Sequence, residues 1–492
     1  MKSSHFPFDL GELDSFLVSI RESTPFADIN ANPFFHLVKP TAENLSKYRI
    51  YNPKSKILFI LDLIKVTPVI LHKILLSLAL SLFSLRDAGV RTLRSSENIE
   101  YLFISHFTHA QNPNTDDIFF GHNLDYRKSF TFFLNHTRLS VRHILRKYHA
   151  VSKTKVVVNA KTLLPLSMIK LHFNQIQITW WLLKRALQDE SLEISKKRVL
   201  IKASVFQHER STIANLVMKR RLSEVIVNVK PRYLVFTLEG HAHENQIIEL
   251  RANAFKELKL IAYQHAPMVP GQLNLYRIVA KLDSGDFFLT SGETTKQNAS
   301  HQGFKCRVEV LGSLKAREYQ FQVKDSSRIQ VLVAPEGTKE SLIQFIRLIN
   351  DLVPKLPEVR FVLRIHPALG RFSNVIMKKD LKPHQRVTIS ASMLEEDLRM
   401  SHLVLFRSSA IGIECLSFGV LPIHFNDEDG DSLNPILDCG FETLRLNSSH
   451  KISDYLAHFD PIQYQNEAFQ KQCYAFFNGY FGKLRNLDSI VH

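Results

Sequence analysis

Two short elements in the C-terminal third carry residue types suited to gripping a phosphate. They are His366-Pro367 and, 42 positions later, Ser408-Ser409. An imidazole N–H can donate to a phosphate oxygen or to a pyrimidine carbonyl. Pro367 fixes the backbone after it. The stretch Ala410 to Phe418 has the pattern of a helix, so Ser408 and Ser409 would stand at its start. Unpaired N–H groups and a positive dipole end there favour an anion, and two hydroxyls would complete a cradle. A lone serine pair at that place is equally a plain N-cap. The nearby Arg364 and Arg407 add cationic reach, and Glu336-Gly337 forms another polar turn. Glu414 would lie within the same helix, suited either to ribose hydroxyls or to solvent.

The N-terminal half has its own candidates. Glu239-Gly-His241-Ala-His243-Glu244 and Gln264-His265 are polar stretches that directly follow apolar runs. Glu239 or Glu244, in a partly closed cleft, could remove a hydroxyl proton. Asp117, with Asp116 beside it, is a rival base. His241, Gln264 and His265 would line the acceptor side. The group His241, His243 and Glu244 lacks the i, i+4 pairing of an HExxH helix, so no metal site is expected. Glu244 also fits a capping role in the first turn of the helix that follows.

Elements of the right kind exist to position these groups. Short apolar runs at 101–106, 130–134, 155–158, 233–238, 258–263, 287–290 and 307–311 alternate with helical stretches such as 163–187 and 245–258. After a polar stretch the alternation restarts, with runs at 329–334, 361–365, 387–389, 403–406 and 421–425. Strands alternating with helices predict parallel sheets in α/β domains. Ligands of such sheets sit outside the carboxyl ends of the strands. The polar elements above all occupy that place, as does Asn426-Asp427. The expected division is a helical extension over 1–95, a first α/β domain over 96–315, a linker over 316–328, a second α/β domain over 329–467, and a terminal helix over 468–492 that packs back on the first domain.

The chain has 492 residues and a formal net charge of +16. Between Lys128 and Lys230 stand 20 Lys/Arg against 5 Asp/Glu, so that interval alone contributes +15. Clusters such as Lys196-Lys197-Arg198 and Lys219-Arg220-Arg221 suggest a face turned toward an anionic glycan, a lipid-linked acceptor or a membrane surface. They equally fit the solvated faces of amphipathic helices. No zinc-finger spacing or RNA-binding signature accompanies them, so nucleic acid is not expected. The most apolar segment, 57–85, is interrupted by charges, and its longest clean stretch is 12 residues. A spanning helix needs about 20. A buried helical pair or an interfacial helix is expected instead. The N-terminus lacks the pattern of a signal peptide. Four scattered cysteines suit a reducing compartment. GxSxG, P-loop and GxGxxG elements are lacking, which removes support from hydrolase, kinase-like and dinucleotide-binding readings.

On the stretches Leu238–Glu244, Ala262–Pro267, Arg364–Pro367 and Arg407–Glu414, the chain resembles bacterial glycosyltransferases of capsule and lipopolysaccharide biosynthesis with the two-domain GT-B architecture. The His-Pro and Ser-Ser elements are similar to those of CMP-dependent sialyl- and Kdo-type transferases. That resemblance implies a metal-independent glycosyltransferase with no cofactor beyond a nucleotide-sugar donor, a CMP-linked acidic sugar first among the choices. In those families the His-Pro element contacts CMP and the serine pair holds its phosphate. The acidic-acidic-glycine element that carries the sialyltransferase base is matched only remotely, by Glu239-Gly240 and Glu336-Gly337. The resemblance further implies a cytoplasmic enzyme held peripherally at the inner membrane. A UDP- or GDP-sugar donor, a polyol-phosphate transferase and a non-catalytic scaffold remain as alternatives.

Overall fold

The computed structural model describes residues 9–37, 48, 50, 54–83, 99–107, 117–121, 128–137, 140–141, 143–145, 155–159, 163–268, 272–370, 372–425, 434–436 and 444–492. Two parallel sheets organise them. The first contains β1 (Tyr101–Phe107), β2 (Ser129–Asn135), β3 (Lys155–Val158), β4 (Tyr233–Thr237), β5 (Lys259–Gln264), β6 (Phe287–Thr290) and β7 (Arg307–Val310), in the order 3-2-1-4-5-6-7. The second contains β8 (Ile329–Val333), β9 (Val359–Leu363), β10 (Val387–Ile389), β11 (Leu403–Phe406), β12 (Leu421–Phe425) and β13 (Leu444–Leu446), in the order 10-9-8-11-12-13. All pairings within both sheets are parallel.

The central strands explain this arrangement. Tyr233-Leu-Val-Phe-Thr237 and Leu403-Val-Leu-Phe406 are apolar or β-branched almost throughout and buried at every position. A strand buried on both faces needs helices above and below it, which is the parallel α/β solution. The fold is thus the expected pair of parallel-sheet α/β domains. Counted from its own first strand, each sheet runs 3-2-1-4-5-6, with a seventh strand added in the first, so each has one switch point where strand order reverses. In the first sheet it lies between β1 and β4, and in the second between β8 and β11.

Several expectations need correction. The 56–83 segment is one continuous helix, Lys56–Phe83, and not a buried pair. Pro68 lies within it on the exposed side, so its ring meets solvent. The anticipated helix over 410–418 shrinks to one α-turn, Ile411–Glu414, followed by a 3-10 turn, Cys415–Phe418. So short an element has little macrodipole to offer an anion. β13 was not anticipated; three residues, Leu-Arg-Leu, give too short a pattern to read.

The N-terminal segment does not stand apart. Leu13, Leu17, Phe34 and Tyr48 share a core with Ile178 and Leu182 of the Pro165–Gln188 helix and with Val199 and Leu200 of the Ile194–Phe206 helix. The basic clusters are spent in the same place. Lys196 pairs with Glu12 at 2.8 Å, Arg198 with Asp62 at 2.7 Å, and Lys219 with Asp28 at 3.0 Å and Glu249 at 3.4 Å. Arg221 pairs with Glu224 at 3.0 Å. Lys196, Arg198 and Lys219 therefore tie the N-terminal segment to these helices.

The C-terminal segment joins both domains. The Glu467–Tyr480 helix sets Phe477 into the core of the second domain with Val404 and Phe406. Beyond it, Leu487 and Val491 enter the core of the first sheet with Phe103 and Val235. The crossing is close: a Cβ on Gly312, which has φ +89°, would lie 2.1 Å from the Lys483 carbonyl oxygen. The linker is pinned to the same helix, with Gln322 and Gln470 exchanging hydrogen bonds of 2.9 and 2.7 Å.

Candidate functional site

The switch point of the first sheet gathers imidazoles. His106, at the end of β1, places Nδ1 2.7 Å from His136 Nε2 and Nε2 3.0 Å from the Thr237 hydroxyl. His136 follows β2 and Thr237 ends β4, so three strand exits meet here. The loop after β4 then supplies Glu239, whose carboxylate lies 3.0 Å from His265 Nε2 and 3.3 Å from His241 Nε2. The His243 ring packs edge-on to His106 and stacks on His241, with centroids 5.6 and 5.5 Å apart. Phe119 covers the edge of the group, 4.7 Å from the His265 ring and 5.6 Å from that of His106.

Burial and mutual repulsion keep much of this cluster uncharged. Desolvation first, and then His136, His241 and His265, push His106 down to about 3. His243 and His136 are lowered for the same leading reason. Within the His106–His136 contact one neutral ring donates and the other accepts. Glu239 is thus a partly exposed carboxylate held by two imidazoles beside a largely neutral polar cluster.

The loop geometry sets Glu244 apart from Glu239. Glu244 is buried and accepts hydrogen bonds from three backbone N–H groups, those of Glu239 (2.9 Å), Gly240 (2.7 Å) and His241 (2.8 Å). With the His241 side chain it forms a capping box at the start of the Ala242–Ala254 helix. Burial pushes its carboxyl up to about 7, against the pull of His241 and of those N–H donors. Both oxygens are occupied in holding the loop, so Glu244 positions Glu239. Gly240 is required there: its φ is +93°, and a Cβ would stand 2.9 Å from the Leu275 nitrogen.

Asp117 is likewise a positioning group. Its Oδ1 accepts from the backbone of Phe119 and Phe120, both at 2.9 Å, which aims Phe119 at His265. Burial raises its pKa. Gln264 turns its amide onto its own loop, donating to the Ala266 carbonyl at 2.6 Å. Of the residues expected on this side, Glu239, His241 and His265 come together as a site. His106, His136, Phe119 and Thr237 were not among the expected site residues. The strand-exit rule would have found His106 and His136 had it been applied to β1 and β2 as well as to β4 and β5. Among the described residues, no three His, Cys, Asp or Glu side chains converge in a geometry able to hold a metal ion.

The switch point of the second sheet is built differently. Glu336 follows β8 and Ser408 follows β11, and the Ser408 hydroxyl donates to the Glu336 carboxylate. The Glu336 N–H in turn donates to the Ser341 hydroxyl at 3.1 Å. His366, after β9, is exposed; partial desolvation lowers its pKa while Glu336 pulls it back up. Ser409 accepts from the Ile411 N–H at 3.4 Å, the weak cap of the short α-turn, for which Ala410 is the N-cap residue. Gly337 and Pro367 lie in the turns that deliver Glu336 and His366.

Three expected donor residues are engaged elsewhere. Arg364 bonds Asp397 at 2.6 Å and the Ser392 carbonyl at 2.9 Å. Arg407 is buried and donates to Gln344 at 2.8 Å. Glu414 pairs at 2.6 Å with Lys315, near the start of the interdomain connection, so it ties the connection to the second domain. The Asn426-Asp427 exit lies outside the described residues.

The sequence matches no family model and no curated protein. Solved structures with a similar arrangement include a UDP-GlcNAc 2-epimerase from Neisseria meningitidis bound to UDP-GlcNAc, at 13% identity over 78% of this chain and 97% of that one, with a TM-score of 0.45. The glycotransferase of kitacinnamycin is similar at 10% identity over 78% and 95%, with a TM-score of 0.41. A pneumococcal O-GlcNAc transferase in complex with UDP and GlcNAc is similar at 14% identity over 54% and 56%, with a TM-score of 0.36. These likenesses concern the fold alone, and the roles of individual residues follow from this chain's own geometry.

Proposed function

We propose that the protein is a glycosyltransferase that moves a sugar from a nucleotide-activated donor to a hydroxyl acceptor, with its two switch-point crevices dividing the work. The observation that carries this reading is Glu239, an acidic group held by His265 and His241 at the switch point of the first sheet. Ligands of open parallel sheets bind at that place. Glu239 takes the proton from the acceptor hydroxyl, and the freed oxygen forms a bond to the anomeric carbon of the donor sugar. The bond from that carbon to the phosphate oxygen breaks, and the nucleotide leaves with the electron pair. Ser409 and His366 donate to the phosphate oxygens on which charge develops, and Ser408 joins them once the ribose hydroxyls take its place on Glu336. Glu336 is suited to the ribose hydroxyls, since a carboxylate accepts from a diol and repels a phosphate.

The resemblance noted in the sequence favours a CMP-linked acidic sugar as donor, with a UDP- or GDP-sugar as the rival. The acceptor of this reading is a surface glycan or its lipid-linked precursor. Calorimetric titration with CMP, CDP, UDP and GDP separates the donor classes. Ser408→Ala and His366→Ala are each expected to weaken the bound nucleotide about tenfold, as for loss of one hydrogen bond to a charged group. Wild-type nucleotide affinity in both variants would remove the donor site from the second crevice.

A further inference from the structure

The helix Lys56–Phe83 and the helix Pro165–Gln188 pack beside each other, with Leu78 and Leu171 meeting over a small shared core that includes Leu163 and Met168. Each buries one side and leaves an apolar stripe on the other. On the second helix the stripe is Leu166, Ile169, Phe173, Ile176 and Trp180, which repeats every three or four residues, with Leu187 two turns on, and so runs along one face. Leu166 is 83% exposed, Trp180 69% and Phe173 60%. On the first helix Ile57, Ile60, Leu61, Ile64, Leu71 and Leu75 are exposed in the same rhythm, with Ile57 at 72%. Apolar surface of this extent on water has a partner.

The charges beside the stripes identify it. Lys56, Lys65, Lys170 and Lys184 are exposed on these two helices, and none of the exposed residues of either is acidic. The one acidic residue in the two helices, Asp62, pairs with the buried Arg198. A second copy of the chain would set lysines against lysines, whereas an anionic lipid surface meets both the apolar stripes and their basic flanks. Trp180 is the amphipathic ring expected at a headgroup boundary, and long lysine stems reach from an apolar bed to phosphates. The first helix is long and apolar enough to cross a bilayer. Its inner side, however, is fixed to the protein through Val66, Ile70, the Asp62–Arg198 pair and the Lys73–Glu209 pair. A helix held along its length by the protein body lies along an interface.

We infer that the paired outer faces of the Lys56–Phe83 and Pro165–Gln188 helices form an in-plane docking surface for an anionic lipid bilayer. This assignment stands on the surface alone and is independent of the transferase reading. It moves the anionic contact from the basic clusters at 196–198 and 219–221 to these two helices. The test is flotation of the full chain with vesicles of phosphatidylcholine, alone or mixed with phosphatidylglycerol. The wild type is expected to float with the mixed vesicles and much less with the neutral ones. Phe173→Glu/Trp180→Glu is expected to lose binding by about a hundredfold, since burial of one large apolar side chain corresponds to roughly tenfold or more. Phe173→Gln/Trp180→Gln, which adds no charge, should lose nearly as much, and both should keep the wild-type circular dichroism. Lys170→Glu/Lys184→Glu should lower binding to mixed vesicles by about twenty-five-fold or more, at roughly fivefold per lysine lost near the surface. Wild-type flotation by both Phe173/Trp180 variants would overturn the assignment. So would a wild-type chain that ignores vesicles and forms a dimer that the same substitutions dissociate, which would give the surface to a second copy.

Discussion

The two switch points share a strand order and differ in chemistry. The first, between β1 and β4, holds five imidazoles, those of His106, His136, His241, His243 and His265, around the carboxylate of Glu239. The second, between β8 and β11, offers hydroxyls at Ser408 and Ser409, one carboxylate at Glu336 and one imidazole at His366. The first suits proton transfer and the second suits oxygen-rich ligands. Topology decides where a crevice opens, and the few residues after each strand decide what it does. Both crevices also discard polar groups inward. Glu244 and Asp117 brace the first, and Arg364, Arg407 and Glu414 brace the second.

The sharpest way to break this division is to alter one crevice and read the other. Glu239→Gln keeps the size of the side chain and removes the base. It is expected to lower turnover by about a hundredfold or more while leaving nucleotide affinity unchanged. Ser408→Ala should do the opposite, weakening nucleotide binding and sparing the acceptor's KM. Binding titration together with steady-state rates on both variants separates the two. If Glu239→Gln loses nucleotide affinity as strongly as turnover, the crevices act as one site and the division fails.

The architecture was largely legible because buried parallel strands write themselves as apolar runs: Lys155–Val158, Phe287–Thr290 and Leu403–Phe406 are the strands that the sequence predicts, residue for residue. The site was legible only in outline. Glu239 and Ser408 announce themselves by type and place, but nothing local shows that Arg364 is claimed by Asp397, 33 positions away, or Glu414 by Lys315, 99 positions away. The same blindness to distant partners made the basic clusters look like a surface, although Arg198 is satisfied by Asp62, 136 positions away. The charges that interrupt the apolar run of Lys56–Phe83 point to a buried helical pair or an interfacial helix. Two of them, Asp62 and Lys73, reach Arg198 and Glu209 on the protein side.

A second comparison uses one glycine from each crevice. Gly240 adopts a left-handed conformation against the Leu275 backbone, and Gly412 lets the α-turn after Ser409 rest on the Phe406 ring, where a Cβ would stand 2.5 Å from ring carbons. Each Gly→Ala change is expected to destabilise the fold by about 2 kcal/mol, from strain at the first and overpacking at the second. Chemical denaturation measures both. Nucleotide affinity should fall only for Gly412→Ala, and turnover at saturating nucleotide only for Gly240→Ala. Equal behaviour of the two variants would mean that the loops are coupled through the body of the protein.

The smallest effect concerns acid. His106 titrates at about 3 in the folded chain, against an ordinary value of 6.5, with burial the leading cause and the neighbouring histidines next. The unfolded chain therefore binds a proton on this ring at a pH where the folded chain does not. Its contribution to stability is complete above about pH 6.5 and is lost progressively as pH falls from there toward 3. His243 and His136 shift in the same direction, as does His366 in the second crevice. Outside both crevices, His208 at about 3, His172 at about 4 and His402 at about 4 also add to it. Melting temperature between pH 7 and pH 5 should fall for the wild type and fall less steeply for His106→Gln, which cannot be protonated. Substituting His366 by Gln should change the slope less than His106→Gln does, since His366 is one lowered imidazole facing Glu336 rather than one among five. A steeper change from the His366 variant would transfer the acid sensitivity to the second crevice and reverse the assignment of proton chemistry to the first.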